Sequence, residues 1–94
     1  MTPSNKTKMA TGEWYTCIDD ELDALRRVAS IARHQHNTLP PDERGLVAPL
    51  LRSLLAACPD SAMIEAPFHC SYGFNTSLGA DVFLNAGCTI LDSA

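Results

Sequence analysis

The sequence predicts an α+β fold: a helical module over residues 1–61, then the first coils, fewer than two, of a parallel β-helix over residues 62–94. Two observations carry this. Up to about residue 58, apolar residues recur at intervals of three and four, the helical period. Near the end, in Leu78-Gly-Ala-Asp-Val-Phe-Leu-Asn-Ala-Gly-Cys-Thr-Ile90, the interval becomes six, at Leu78, Leu84 and Ile90. A second series, Val82, Cys88 and Ala94, runs four places behind. Six fits neither one helix face nor one strand face. It fits a chain that makes a short strand, turns a corner and repeats, three steps to a coil, with coils stacked about 4.8 Å apart. Gly79, Asp81, Asn85 and Gly87 supply residues suited to corners. Cys70 and Cys88 are three sixes apart and are expected on one face of adjacent coils, one above the other. The same window also reads as a β-hairpin turning at Asn85-Ala-Gly87.

The elements follow in order. Thr2 to Ala10 can form a short helix, with Pro3 near its start and Gly12 past its end. Trp14, the only tryptophan, is expected to pack as an aromatic anchor. Asp19 or Asp20 caps a second helix, in which Leu22, Leu25, Val28 or Ala29, and Ala32 make one apolar face. His34-Gln-His-Asn37 is expected to be its solvated end, because histidines two apart cannot share a helical face. Leu39-Pro-Pro-Asp42 is a break. A third helix carries Leu46, Val47, Leu50, Leu51, Leu54 and Leu55. It starts either at Asp42, with a kink, or at Pro49, and the second is favoured because proline suits a first helical position. This stripe is expected to cap the end of the coil. Met63 to Phe68 reads as strand, and Gly73 and Asn75 as turn residues.

Composition narrows function. Ninety-four residues make at most one ordinary domain. A net charge of -4 argues against nucleic acid or an anionic membrane surface as partner. No apolar run reaches the ~18 residues of a membrane span, and the first residues lack a secretion signal, which points to a cytoplasmic protein. Cys17, Cys58, Cys70 and Cys88 form no Cys-x-x-Cys pair, and no histidine stands at a zinc-finger distance. Four reduced thiols and no metal site are expected.

Glu65-Ala-Pro-Phe-His-Cys-Ser-Tyr-Gly-Phe-Asn75, followed by Leu78-Gly79, Asn85 and Ile90-Leu-Asp92, resembles the maltose/galactoside/nodulation-type O-acetyltransferases. So do Lys8-Met9, Gly12-Glu-Trp-Tyr15 and Asp19 to Leu22, so the resemblance spans nearly the whole chain. It implies a left-handed parallel β-helix, a homotrimer, and transfer of an acetyl group from acetyl-CoA to a sugar hydroxyl. The family's general base is a histidine in a later coil; His34, His36 and His69 do not occupy its place. No catalytic residue and no coenzyme-binding residue is therefore assigned. The acceptor-side positions that match are Ser71 and Asn85, with Asn85 equally readable as a plain corner residue. Phe83 stands where some members have tyrosine, and Cys17 and Ser93 where the galactoside branch has aspartate, so galactoside specificity does not carry over.

Residues 62–94 are shorter than two eighteen-residue coils. The chain is expected to be the acceptor-side part of a longer acetyltransferase, inactive alone and prone to associate. The alternatives are a non-catalytic remnant that acts as an oligomerisation or binding module, and an unrelated helical module with an accidental repeat.

Overall fold

In a computed structural model of the protein, which describes residues 3–93, four helices precede four short strands. Thr2, expected to open the first helix, and Ala94, the last of the six-step series, lie outside the described residues. Helix α1 (Asn5–Thr11) begins where the Ser4 hydroxyl accepts the Thr7 N–H at 3.1 Å and ends at Gly12 with φ +80°. Helix α2 (Asp20–Thr38) is capped by Asp19, whose carboxylate accepts the Leu22 N–H at 3.1 Å. Its buried face is Leu22, Ala29, Ala32 and His36. Val28 and Ile31 stay about half exposed.

The third helical segment is divided. Helix α3 (Pro41–Arg44) stops at Gly45, whose φ is +66°. Helix α4 (Pro49–Leu54) then starts on its proline, the second of the two alternatives above. Only part of the leucine stripe is buried: Val47, Leu51 and Leu55 go inside, while Leu46 and Leu50 are largely exposed.

After α4 the chain makes three parallel pairings. Ala57 bridges Ser77; β1 (Met63–Ile64) pairs β3 (Phe83–Leu84); and β2 (Phe68–Cys70) pairs β4 (Cys88–Ile90). In register, Met63 faces Phe83, Ile64 faces Leu84, and Phe68 faces Cys88, each pair twenty residues apart. β3 and β4 do not pair with each other, so there is no hairpin at 85–87. The chain instead returns above itself on three sides. Ile64, Cys70 and Leu78 point into the interior with Leu84 and Ile90, and Val47, Leu51 and Leu55 close the same core.

Twenty rather than eighteen has a visible cause. The steps Ile64 to Cys70, Leu78 to Leu84 and Leu84 to Ile90 are six residues each. The step Cys70 to Leu78 is eight, and its two extra residues are taken up in the turn around Gly73. Cys70 therefore stacks on Ile90 and Cys88 on Phe68. The expected stacking of the two cysteines is corrected: they share one face but are offset by two residues, and all four thiols are free. Burial pushes the Cys70 thiol up to about 11, with Asp92 adding to the effect.

The first turn of the coil has nothing stacked beneath it, so its outer backbone groups need other partners. The helical module supplies them. The Leu46 carbonyl accepts the Ile64 N–H at 3.0 Å. The Asn37 carboxamide accepts the Phe68 N–H at 2.9 Å and donates to the Phe68 carbonyl at 3.0 Å. Arg33 donates to the Cys70 carbonyl at 2.7 Å. This corrects the reading of residues 34–37 as a solvated end. His36 is fully buried, its Nδ1 accepts the Ala48 N–H at 3.2 Å, and its ring meets Phe68 edge-on. Burial holds its pKa below the usual histidine value.

Trp14 is also corrected. It is 98 % exposed, because the loop between Gly12 and Asp19 runs over the surface and turns it outward. Tyr15 is the anchor of that loop.

Candidate functional site

The site is built where α2, the loop before it and the turn after β2 converge. Ser71 directly follows β2 and donates its N–H to the Ile90 carbonyl at 3.2 Å, which fixes its backbone. Beside it, the buried Tyr72 hydroxyl accepts from Arg26 Nη1 at 2.7 Å. Nη2 of the same guanidinium donates to the Cys17 carbonyl at 2.8 Å and to the Asp23 carboxylate. The Asp23 hydrogen bond, then that of Tyr72, holds the Arg26 pKa above its already high value, so this cation persists at any working pH.

A second device lies on the other side of Tyr72. Asp92, nearly fully buried, accepts the N–H groups of Tyr72 at 2.8 Å and Gly73 at 2.7 Å, and the Thr76 hydroxyl at 2.9 Å. The Asn75 side chain donates to the Asp92 carbonyl at 2.8 Å. One carboxylate thus folds the eight-residue step and ties it to the next turn of the coil. Gly73 is required there: its φ is +86°, and a Cβ would stand 2.5 Å from the Leu54 side chain. Ser93 follows Asp92, and its carbonyl accepts the Tyr15 hydroxyl at 3.2 Å.

Of the five acceptor-side residues expected from the sequence, Cys17 is bonded through its carbonyl to the Arg26–Tyr72–Asp92 cluster, while Ser71 and Ser93 adjoin that cluster as the chain neighbours of Tyr72 and Asp92. Cys17 takes part through its backbone, and its thiol is exposed. Phe83 and Asn85 are placed elsewhere. Phe83 lies on β3, about half exposed. Asn85 follows β3 at the corner leading into β4, is exposed, and its side-chain oxygen accepts the Ala86 N–H at 2.9 Å. Ser71 and Asn85 stand at opposite ends of the β2/β4 side of the coil. Within one chain the structure does not bring them together.

A cleft of about 600 Å³ runs between α2 and the end of β2, and Arg26, Arg27, Arg33, His69 and Ser71 line it. His69 alternates with the inward Phe68 and Cys70, so it projects outward from β2. Sequence reasoning did not find Arg26 or Asp92 as site-forming residues. A signal existed for the first in the Asp23/Arg26 helical spacing, but the partners of Asp92 are about twenty residues away and carry no local signature.

Residues 8–59 match the maltose acetyltransferase hexapeptide capping motif. Nodulation protein L of Rhizobium meliloti (strain 1021) is 38 % identical over 94 residues, all of this chain and 51 % of that protein. Among solved structures, a hexapeptide-repeat acetyltransferase from Vibrio cholerae O1 biovar eltor, complexed with acetyl coenzyme A, superposes with a TM-score of 0.82 at 30 % identity. That match covers 98 % of this chain and 49 % of the other. A galactoside acetyltransferase in complex with coenzyme A shares the fold, with a TM-score of 0.83 at 23 % identity over 97 % of this chain and 46 % of that one. The chain spans about half the length of the curated relatives it matches. With more than half of its residues inside the matching motif, the chain belongs to the family of acetyltransferases that carry the maltose acetyltransferase hexapeptide capping motif.

Proposed function

We propose that residues 1–94 are the acceptor-side half of an acetyl-CoA-dependent sugar O-acetyltransferase, with the coil left-handed and the working unit a cytoplasmic homotrimer. The observation that carries this reading is the hydrogen-bonded Arg26–Tyr72–Asp92 cluster, which Cys17 joins through its carbonyl and which Ser71 and Ser93 adjoin in the chain. It places neutral hydrogen-bonding groups beside a fixed cation, an arrangement suited to holding a sugar by its hydroxyls. Asn85 joins the site from a neighbouring copy, since within one chain it lies at the far end of the β2/β4 side from Ser71. Phe83 on the same corner supplies an apolar wall where a tyrosine would give a hydroxyl.

In the reaction the acceptor hydroxyl gives its proton to a general base as its oxygen attacks the thioester carbonyl, and the coenzyme leaves as the thiol. These residues bind and orient the acceptor. Neither the base nor the coenzyme groove is assigned to them.

A chimera tests this: residues 1–94 replace the matching half of the Vibrio cholerae acetyltransferase. It is expected to consume acetyl-CoA with at least one sugar of a panel. Ser71→Ala and Asn85→Ala are each expected to lower kcat/KM about tenfold, one hydrogen bond's worth. A folded chimera that transfers to no sugar would overturn the reading.

One observation favours a second reading, a non-catalytic association module. Val28, Ile31, Leu46 and Leu50 leave roughly half of each side chain in water on α2, on α4 and just before it. A folded but inactive chimera, together with self-association of the chain abolished by Ile31→Glu, would favour it.

A further inference from the structure

The chain is acidic overall, yet three of its seven lysines and arginines line a cleft that reaches Ser71. Among the described residues only one carboxylate, Asp23, shares the cleft, and it is already paired with Arg26. The local balance is therefore cationic, and cleft walls focus such a field. The two other arginines are differently placed. Arg33 is half-buried and pinned through one amino group to the Cys70 carbonyl, and its remaining donors make no other hydrogen bond among the described residues. Its fork is thus pre-oriented. Arg27 is exposed and has no hydrogen-bond or ion-pair partner among the described residues, so the fold makes no use of it. His69 and the Ser71 hydroxyl line the same cleft without side-chain partners of their own among the described residues.

A neutral sugar needs no such field. Two guanidinium forks lining one cleft with a serine match an oxyanion, which such forks engage through paired, charge-assisted hydrogen bonds. We propose that this cleft binds an oxyanion substituent, carboxylate or phosphate, on the acceptor saccharide, with Arg27 and Arg33 holding the anion beside Ser71. The proposal rests on the acceptor-site reading above and names the acceptor's chemical class. It does not draw on the arginine that builds the cluster, since Arg26 is committed to Tyr72, Cys17 and Asp23.

The test is equilibrium dialysis of the full 94-residue chain against glucose, glucuronate, glucose 6-phosphate, inorganic phosphate and coenzyme A. Glucuronate or glucose 6-phosphate is expected to bind at least about tenfold tighter than glucose, and to weaken as salt rises. Arg27→Gln, which removes no hydrogen bond or ion pair among the described residues, is expected to reduce that preference about tenfold. Arg33→Lys keeps the charge but loses the fork, and is expected to reduce it as well. Glucose binding as tightly as the charged sugars, no binding by any charged sugar, or an Arg27→Gln variant that keeps the preference would overturn the proposal. Coenzyme A displacing inorganic phosphate where charged sugars do not would overturn the assignment of the anion to the acceptor. A chimera that acetylates neutral sugars, alongside any of these failures, would defeat this inference alone and leave the acetyltransferase reading standing.

Discussion

At the residue scale, two buried polar side chains hold the parts of the chain together, and each has a measurable consequence. Asp92 satisfies three donors of the 72–76 turn. Asp92→Ala leaves these buried groups unpaired, and a loss of about 3 kcal/mol in unfolding free energy is expected by chemical denaturation. A loss under about 1 kcal/mol would mean that water replaces the carboxylate. His36 acts in the opposite sense. Its pKa is below the usual value in the fold, so between that lowered value and about 6.5 the unfolded chain binds more protons. Stability is therefore complete above about pH 6.5 and falls as the pH drops through that window. Protonation would also cost the Ala48 hydrogen bond, since Nδ1 would no longer accept. Thermal melts from about pH 7.5 down to pH 5 should show a falling midpoint, and His36→Gln should flatten that slope. Equal slopes would remove His36 as the cause.

At the element scale, α4 is the plug of the coil. Leu51 is fully buried against Ile64 and Cys70, while Leu50, one position away, is 45 % exposed. Leu51→Asp should destabilise by at least about 4 kcal/mol, from lost burial plus a charge in the core. Leu50→Asp should cost under about 1 kcal/mol. Similar melting of the two variants would contradict the packing. The coil register has its own test. His69 faces Thr89 in register and both are exposed. His69→Cys with Thr89→Cys should oxidise readily to a disulfide, whereas Ser71→Cys with Thr89→Cys, the eighteen-residue alternative, should not. The reverse result would restore the eighteen-residue coil.

How far the sequence reveals the structure also divides at this scale. The six-residue steps, the cap at Asp19 and the helix start at Pro49 are local signals, and all are found in the structure. The eight-residue step was hidden because its cause, Asp92, acts from about twenty residues away. The burial of His36 and the exposure of Trp14 are hidden in the sequence for the same reason. Each depends on what another element places beside it, not on the residue's own neighbours in sequence. Within the candidate site, the motif marks the Ser71-Tyr72 stretch, but not the Arg26 hydrogen bonds that tie Tyr72 to Cys17.

At the scale of the whole molecule, the helical module does the work that a preceding coil would otherwise do. Leu46, Asn37 and Arg33 satisfy the outer backbone groups of the first turn, and α4 fills its interior. The other face, carried by β3 and β4, has strands paired on one side only. In the proposed function these residues hold the acceptor and leave proton abstraction to other residues. Acetyl-CoA consumption by purified residues 1–94, with a panel of neutral and charged sugars, tests it most directly. The predicted result is no turnover above the uncatalysed rate: His36 is buried and already accepts from Ala48, and the proposed function assigns the base to neither His34 nor His69. Turnover that disappears on His69→Ala would contradict the claim, and would make the outward histidine of β2 the base of a complete enzyme.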